Sequence, residues 1–171
     1  MRESIAGAWL FSLVLTFMVI LIGFISISIN YNKAFKLKTT VVNLIEQNQG
    51  VNDRTIQLIQ GYLDNNGYVN GKRCRDLFKN GQKYMGIDNG VSTGVYTKGS
   101  RDLDLGPQQV CLTRRQNKDT NVIRGETANV EYYYDVYMFF SFSLPVFGNI
   151  FKFTIGGTTN AILYPQDSYS W

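Results

Sequence analysis

The sequence contains no histidine and only two cysteines, and these shortages restrict the chemistry available to the protein. Histidine is the commonest general base and a preferred metal ligand, so Ser-His and Cys-His catalytic pairs are excluded. The sequence also lacks a G-x-S-x-G elbow, a C-x-x-C motif and a Walker loop. We therefore expect no enzymatic activity, no cofactor and no catalytic residues.

Charge is absent from a long stretch near the start of the chain. Residues 4–32 are 29 consecutive positions without a charged side chain, and residues 9–27 are dense in Leu, Ile, Val and Phe. About 20 apolar residues are enough to cross the hydrocarbon layer of a bilayer. The pattern predicts a single-pass transmembrane anchor over residues 1–32. The alternative is a cleaved secretory signal, which typically has a shorter apolar run and a small-residue cleavage site.

The helical pattern continues beyond the apolar stretch. Ala34, Leu37, Val41 and Leu44 recur at intervals of three or four residues, with polar side chains between them. This spacing predicts one helix over 4–48 whose last third, 33–48, is an amphipathic stem ended by Gly50. The apolar stripe requires a folded domain or a neighbouring helix to cover it.

The remainder of the chain predicts a short helix and a sheet. Asn52 and Asp53 form a good cap for a helix over 54–64. Strands are expected near 83–87 and 94–97 and over 108–115, 129–144 and 150–163, with a turn at 145–149, a bulge at 156–157 and a loosely held tail after 165. The predicted fold class is α+β, in which the long N-terminal helix packs on a small antiparallel sheet and residues 33–171 form the head.

Two features bear on crosslinks and metals. Cys74 and Cys111 are disulfide candidates if the head lies outside the cytosol, and the alternative is a pair of unpaired thiols. Residues 102–106, DLDLG, resemble the start of an acidic calcium loop but lack the oxygen ligands that such a loop requires further on. We expect a solvated turn there and no metal site.

Basic residues are scattered along the chain rather than clustered. The net charge is +4, from 17 Lys and Arg against 13 Asp and Glu. Nucleic-acid binding normally needs a concentrated basic patch, so no nucleic-acid partner is expected.

The strand predicted over 129–144 has two different faces. Alternation places Val130, Tyr132, Tyr134, Val136 and Met138 on the face expected to pack against the helices. Tyr133, Tyr137 and Phe139 lie on the second face, which has no obvious cover, and they are candidate interface residues. Glu131 and Asp135 share a face, but a carboxylate pair alone is weak support for acid–base chemistry.

The anchor, the stem and the last hairpin together resemble a known architecture. The hairpin reads VYMFFSFSLPVFG over 136–148 and FKFTIGG over 151–157. With the N-terminal helix, it resembles TadE/TadG-like minor pseudopilins, which are type IV pilin-like proteins of tight-adherence pili. The resemblance implies a structural or accessory subunit of a surface pilus or secretion apparatus, whose partners are other pilin-like or assembly-platform subunits in a homo- or hetero-oligomer. The stem residues would then take part in packing.

Processing and orientation follow from the same resemblance. Prepilins have a Gly at the peptidase site and a Glu five residues into the mature helix. Gly7 is the candidate site, with Ser12 at the Glu position; alternatively, Glu3 is the equivalent Glu and the chain is not processed. The lysines that follow the anchor favour a cytosolic head by the positive-inside rule, whereas the family arrangement and the two cysteines favour an extracytoplasmic head. We expect a cell-membrane protein with the head outside.

A different function fits the same sequence pattern. The chain would then be a single-pass, membrane-anchored binding or interaction module of another envelope complex. Such a module is expected to have a flexible joint near Gly50, whereas a pilin-like subunit keeps its stem packed on the sheet.

Overall fold

A computed structural model describes residues 2–66, 72–88, 91–99, 107–117, 130–144 and 148–171, and these residues form the predicted α+β fold. The helices are α1 (Arg2–Gln47) and α2 (Asp53–Asn66), and a short 3-10 helix covers Cys74–Asp76. The strands are β1 (Lys83–Asp88), β2 (Val91–Thr97), β3 (Val110–Gln116), β4 (Glu131–Leu144), β5 (Gly148–Thr158) and β6 (Ile162–Leu163).

Helix α1 is continuous over 46 residues, which confirms that anchor and stem belong to one helix. Every residue from 7 to 22 is exposed, and burial becomes deep only from Ala34 onward. The segment Gly7–Gln47 contains an apolar stretch that is long and apolar enough to cross a membrane. The first half of the helix is therefore apolar and exposed, and the second half packs on the sheet of the head.

The predicted helix stop and helix cap are both present between α1 and α2. Gln49 and Gly50 adopt φ values of 53° and 133°, and the Gly50 amide donates to the Ile45 carbonyl at 3.0 Å. The Asn52 side-chain oxygen accepts from the Thr55 amide at 2.8 Å, which caps α2. The chain thus turns sharply at the end of the stem.

The strands form one antiparallel sheet in the order β2-β1-β3-β4-β5, with β6 paired to the first residues of β4. The single return strand predicted over 150–163 is wrong, because it divides into β5 and β6. Thr159 explains the break between the two strands. The Thr159 amide donates to the Tyr134 carbonyl at 3.0 Å, as in a regular ladder. The Tyr134 amide, however, donates to the Thr159 hydroxyl at 3.0 Å instead of to the Thr159 carbonyl. A side chain thereby replaces one backbone hydrogen bond of the ladder.

The bulge and the turn of the last hairpin also differ from expectation. Gly156 and Gly157 pair with β4 in regular register, and the register shift lies between Phe142 and Leu144. Gly157 instead permits a close approach of α1, since a Cβ there would lie 2.7 Å from Cδ of Lys38. Of the predicted turn over 145–149, residues 145–147 lie outside the described residues and 148–149 belong to β5.

The main core lies between the helices and one face of the sheet. It contains the stem, one face of α2 and the predicted inner face of β4, and burying one such apolar side chain contributes about 1.5–3 kcal/mol. Its buried members are Ala34, Leu37, Val41, Val42, Ile45, Val51, Ile56, Ile59, Leu63, Met85, Ile87, Val110, Leu112, Tyr134, Val136, Met138, Phe140 and Ile162. The sheet is the surface that covers the apolar stripe of the stem.

Candidate functional site

The C-terminal tail is packed against the head, which corrects the expectation that it is loosely held. Asp167, with only 4% of its side chain exposed, accepts from the Val51 amide at 2.8 Å and forms an ion pair with Arg114 at 2.5 Å. The Tyr134 hydroxyl donates to the same carboxylate, at 2.6 and 2.5 Å to its two oxygens. One carboxylate therefore ties the tail to the helix turn and to two strands.

The backbone around Asp167 strengthens this connection. The Gln166 amide donates to the Gln49 carbonyl at 2.8 Å, and the Ser168 amide donates to the Val51 carbonyl at 3.4 Å. A Cβ at Gly50 would lie 2.6 Å from Oδ1 of Asp167. The turn after the stem and the tail thus fit closely; we call Val51, Arg114, Tyr134 and Asp167 the carboxylate clamp.

Aromatic side chains enclose the cation of the clamp. The Arg114 guanidinium carbon lies 4.7 Å from the Tyr132 ring centre and 5.7 Å from that of Trp171. Trp171 also meets Tyr134 edge to face at 5.8 Å. Cation–π contacts of this kind add to an ion pair that is partly withdrawn from water.

The electrostatics of the clamp favour a neutral tyrosine. Burial, followed by the hydrogen bond to Asp167, raises the pKa of Tyr134 far above its usual value of about 10. A neutral phenol donates to the carboxylate, whereas a phenolate would face it as a second buried anion. The clamp is therefore built around a neutral Tyr134 that donates a hydrogen bond to Asp167.

Part of the second face of the sheet is covered by the segment that contains the 3-10 helix. Cys74 and Cys111 form the predicted disulfide, with Cα atoms 5.5 Å apart. Lys72 and Gln108 exchange two backbone hydrogen bonds at 3.0 and 2.9 Å, which fixes the start of the segment. Phe78 stacks on Tyr84 at 5.4 Å beside the disulfide. This small second core was not expected from the sequence.

That cover changes the surroundings of two of the three candidate interface residues, Phe139 and Tyr137. Phe139 is only 4% exposed and packs in the second core, which removes it from the surface. Tyr137 is half-buried and meets Phe78 edge to face at 5.7 Å. Tyr133 is half-buried, and its hydroxyl donates to Glu131 at 3.1 Å; this hydrogen bond raises the pKa of Tyr133.

The four stem residues and the two processing candidates lie in different halves of α1. Ala34, Leu37 and Val41 are buried in the chain's own core, and Leu44 is partly buried beside it. The backbone of Glu3 and Gly7 is helical, and the space around Gly7 is open. The structure therefore does not bring the stem residues and the processing candidates together.

The carboxylate pair on β4 has structural partners. Arg115 binds Asp135 through two contacts, at 2.5 and 2.7 Å, and this pairing raises the pKa of the guanidinium. The Thr158 hydroxyl donates to Asp135 at 2.8 Å, and the Asn117 amide group donates to Glu131 at 3.2 Å. These partners favour a role in tying strands together over acid–base catalysis.

A metal centre is not found in the part of the chain that the structure describes. Among those residues, His, Cys, Asp and Glu form no group of three or more that could hold an ion. The predicted solvated turn at 102–106 lies outside the described residues.

Sequence reasoning missed the carboxylate clamp, although two signals pointed to it. The tail ends in Ser-Tyr-Ser-Trp, and large aromatic side chains in a terminal segment usually pack against something. Arg114 and Arg115 are adjacent in β3, so strand alternation separates them onto opposite faces. Each then reaches its own buried carboxylate, Asp167 or Asp135.

Comparisons with known proteins add no relative. No family model, no curated protein and no solved structure matches the chain.

Proposed function

We propose that this protein is a membrane-anchored, pilin-like structural or accessory subunit of a surface pilus or secretion apparatus. The observation that carries the proposal is the single uninterrupted helix α1. Its first half is apolar and exposed over residues 7–22, and its second half packs on an antiparallel sheet of the same chain. Its function is mechanical: the free half of α1 lies in lipid or among other helices, and the head contacts neighbouring subunits.

Rigidity at the end of the stem supports a structural subunit over a tethered receptor. A receptor on a flexible tether would be expected to bend near Gly50. Instead, the helix turn there is held by the Asp167 carboxylate and by two backbone hydrogen bonds from the tail. A force applied to the head would therefore pass directly into α1.

The disulfide supports placing the head outside the cytosol. Disulfides persist in oxidising compartments and are rare in the reducing cytosol. Cys74 and Cys111 are both fully buried in the second core, where the bond joins the 3-10 helix to β3. The lysines after the anchor favour the opposite orientation under the positive-inside rule.

Photocrosslinking along α1 in cells that produce the native assembly tests the proposal. Leu13 is 60% exposed in the apolar half of α1, and Leu58 is 42% exposed on α2. With a photocrosslinking amino acid at Leu13, we expect adducts to proteins with apolar helices of their own that co-purify with filaments or a membrane platform. The same group at Leu58 is the matched control for contacts of the head.

The outcomes separate an assembly subunit from a lone anchor. Adducts from Leu13 that co-purify with filaments or platform support the proposal. Crosslinks only to lipid, with the protein absent from filaments and platform, would leave a membrane-anchored interaction module of another envelope complex.

A further inference from the structure

Strand β5 runs in the same direction as α1, and three contacts fix their relative positions. The ring of Phe153 stacks on Tyr31 at 6.3 Å. Four residues later, Gly157 lies against Lys38, and the Asn160 amide then donates to Glu46 at 2.6 Å. The start of β5 therefore points toward the apolar half of α1.

The rise per residue gives the reach of the hairpin. Strands rise about 3.3 Å per residue and α-helices about 1.5 Å, so one strand residue matches roughly two helical residues. Gly148 begins β5 five residues before Phe153. Over five residues a strand that follows α1 extends about 16 Å, which corresponds to the level of Ile20 in α1.

The covered face of α1 extends toward this level but stops short of Ile20, which is 61% exposed. Residues 7–22 are all exposed, whereas Ser26, Ile27 and Asn30 are half-buried. Their spacing continues the stripe of Ala34 and Leu37 that packs on the sheet. The covered face of α1 thus extends into the uncharged stretch over 4–32.

The composition of the hairpin changes along its length. No charged residue occurs between Asp135 and Lys152, and the paired ends of β4 and β5 contain Phe142, Leu144, Ile150 and Phe151. Nearer the head, exposed Lys33, Lys36 and Lys152 lie close to the level of Tyr31. A protein segment at a bilayer surface typically has apolar residues on the lipid side and lysines and aromatic side chains at the height of the headgroups. The hairpin and α1 together show this order.

We propose that the paired residues 142–144 of β4 and 148–151 of β5 enter the bilayer interface beside α1 and dock the head on the lipid surface. The occupant is lipid, with anionic headgroups facing the lysines. The inference rests on the proposed membrane anchoring of α1 and extends it: the protein contacts the membrane at two points, and the second fixes the tilt and rotation of the head.

Spin labels on added cysteines test this contact in the full chain. Both native cysteines form the disulfide, so an added thiol is labelled selectively without reductant. Ser143→Cys and Asn149→Cys place labels within the last two residues of β4 and the first two residues of β5. Ser28→Cys, on the exposed apolar part of α1, is the lipid control, and Gln57→Cys, exposed on α2, is the water control.

The readout is collision of each label with oxygen, which concentrates in lipid, and with a water-soluble nickel chelate. The protein is reconstituted in vesicles of phosphatidylcholine and phosphatidylglycerol. We expect the oxygen-to-nickel ratio at Ser143 and Asn149 to resemble that at Ser28 and to exceed that at Gln57 several-fold.

Each other result overturns the inference in a recognisable way. If Ser143 and Asn149 match Gln57 while Ser28 remains in lipid, the hairpin does not enter the membrane and the anchor stands. If both hairpin labels are protected from oxygen and nickel alike, protein rather than lipid covers them. If Ser28 also matches Gln57, the membrane anchor itself is wrong.

Discussion

Replacing Asp167 with alanine should destabilise the head more than any substitution of an exposed carboxylate. The side chain is 4% exposed, and its removal leaves three groups without their common partner. These are the Val51 amide, the Tyr134 hydroxyl and the Arg114 guanidinium. The unfavourable free energy arises mainly from the buried arginine charge that remains.

The magnitude follows from the burial of the pair. Removing one partner of a buried ion pair typically costs about 3–5 kcal/mol, because the other charge stays desolvated. Domains are stable by only about 5–15 kcal/mol, so Asp167→Ala should remove a large fraction of the folding free energy. Because the Arg114 side chain is 18% exposed and can partly reach water, the lower end of the range applies.

Urea unfolding of the full chain in detergent micelles measures this change. Near-ultraviolet circular dichroism reports the packing of the aromatic side chains around the clamp. Asp64→Asn, at an exposed position of α2, is the matched control and should change stability by less than about 0.5 kcal/mol.

A double-mutant cycle separates the ion pair from the loss of the tail. Combining Asp167→Ala with Arg114→Leu removes the stranded charge and should recover part of the lost stability. One ordinary hydrogen bond contributes about 1 kcal/mol to stability. If Asp167→Ala lowers the free energy of unfolding by less than this, the clamp does not hold the tail.

Further predictions concern the turn, the buried phenol and the disulfide. In urea unfolding, Gly50→Ala should destabilise the head by about 1 kcal/mol or more beyond the effect of Gly81→Ala. Both glycines have positive φ, but only at Gly50 would an added Cβ meet a buried carboxylate oxygen, at 2.6 Å. Equal losses of stability would contradict this. Because the pKa of Tyr134 is raised in the folded state, the contribution of this tyrosine to stability is present below pH about 10 and is lost as the pH rises toward the folded-state pKa. Tyr134→Phe should therefore make the free energy of unfolding depend less on pH in the alkaline range. Parallel pH dependences of the two proteins would refute this. Reducing Cys74–Cys111, which are separated by 37 residues, should lower the urea midpoint by an amount equivalent to about 3–4 kcal/mol; an unchanged midpoint would show that this bond does not constrain the unfolded chain.

Periodicity explains why most of the fold could be predicted. The 3–4 spacing of Ala34, Leu37 and Val41 identifies the stem, and the alternation in β4 identifies Val136 and Met138 as core residues. Both patterns depend on local geometry, which one sequence displays directly. The disulfide was also predictable, because the chain offers only one pair of cysteines.

The clamp could not be derived in the same way. Asp167 meets the Val51 amide across 116 residues and Arg114 across 53, and no local period records such pairings. The division of the predicted return strand likewise depends on one hydroxyl, that of Thr159, replacing a backbone acceptor. Contacts that depend on tertiary placement need the structure.

The segment that covers part of the second sheet face could be predicted only in part from the sequence. The segment near Cys74 has little secondary structure of its own, beyond a 3-10 helix of three residues. Its disulfide to Cys111 could have indicated that it lies on the sheet, close to Phe139. Without the register of β3 and β4, however, sequence alone could not identify the face that it covers.

Hydrogen exchange along α1 of the full chain in lipid vesicles tests the central claim most directly. If one rigid helix joins a lipid-embedded anchor to the head, amides from Gly7 to Gln47 should all be strongly protected, with the anchor half protected by the bilayer and residues 33–47 by the sheet. Rapid exchange over 33–47, or equal exchange of the anchor half with and without lipid, would contradict it.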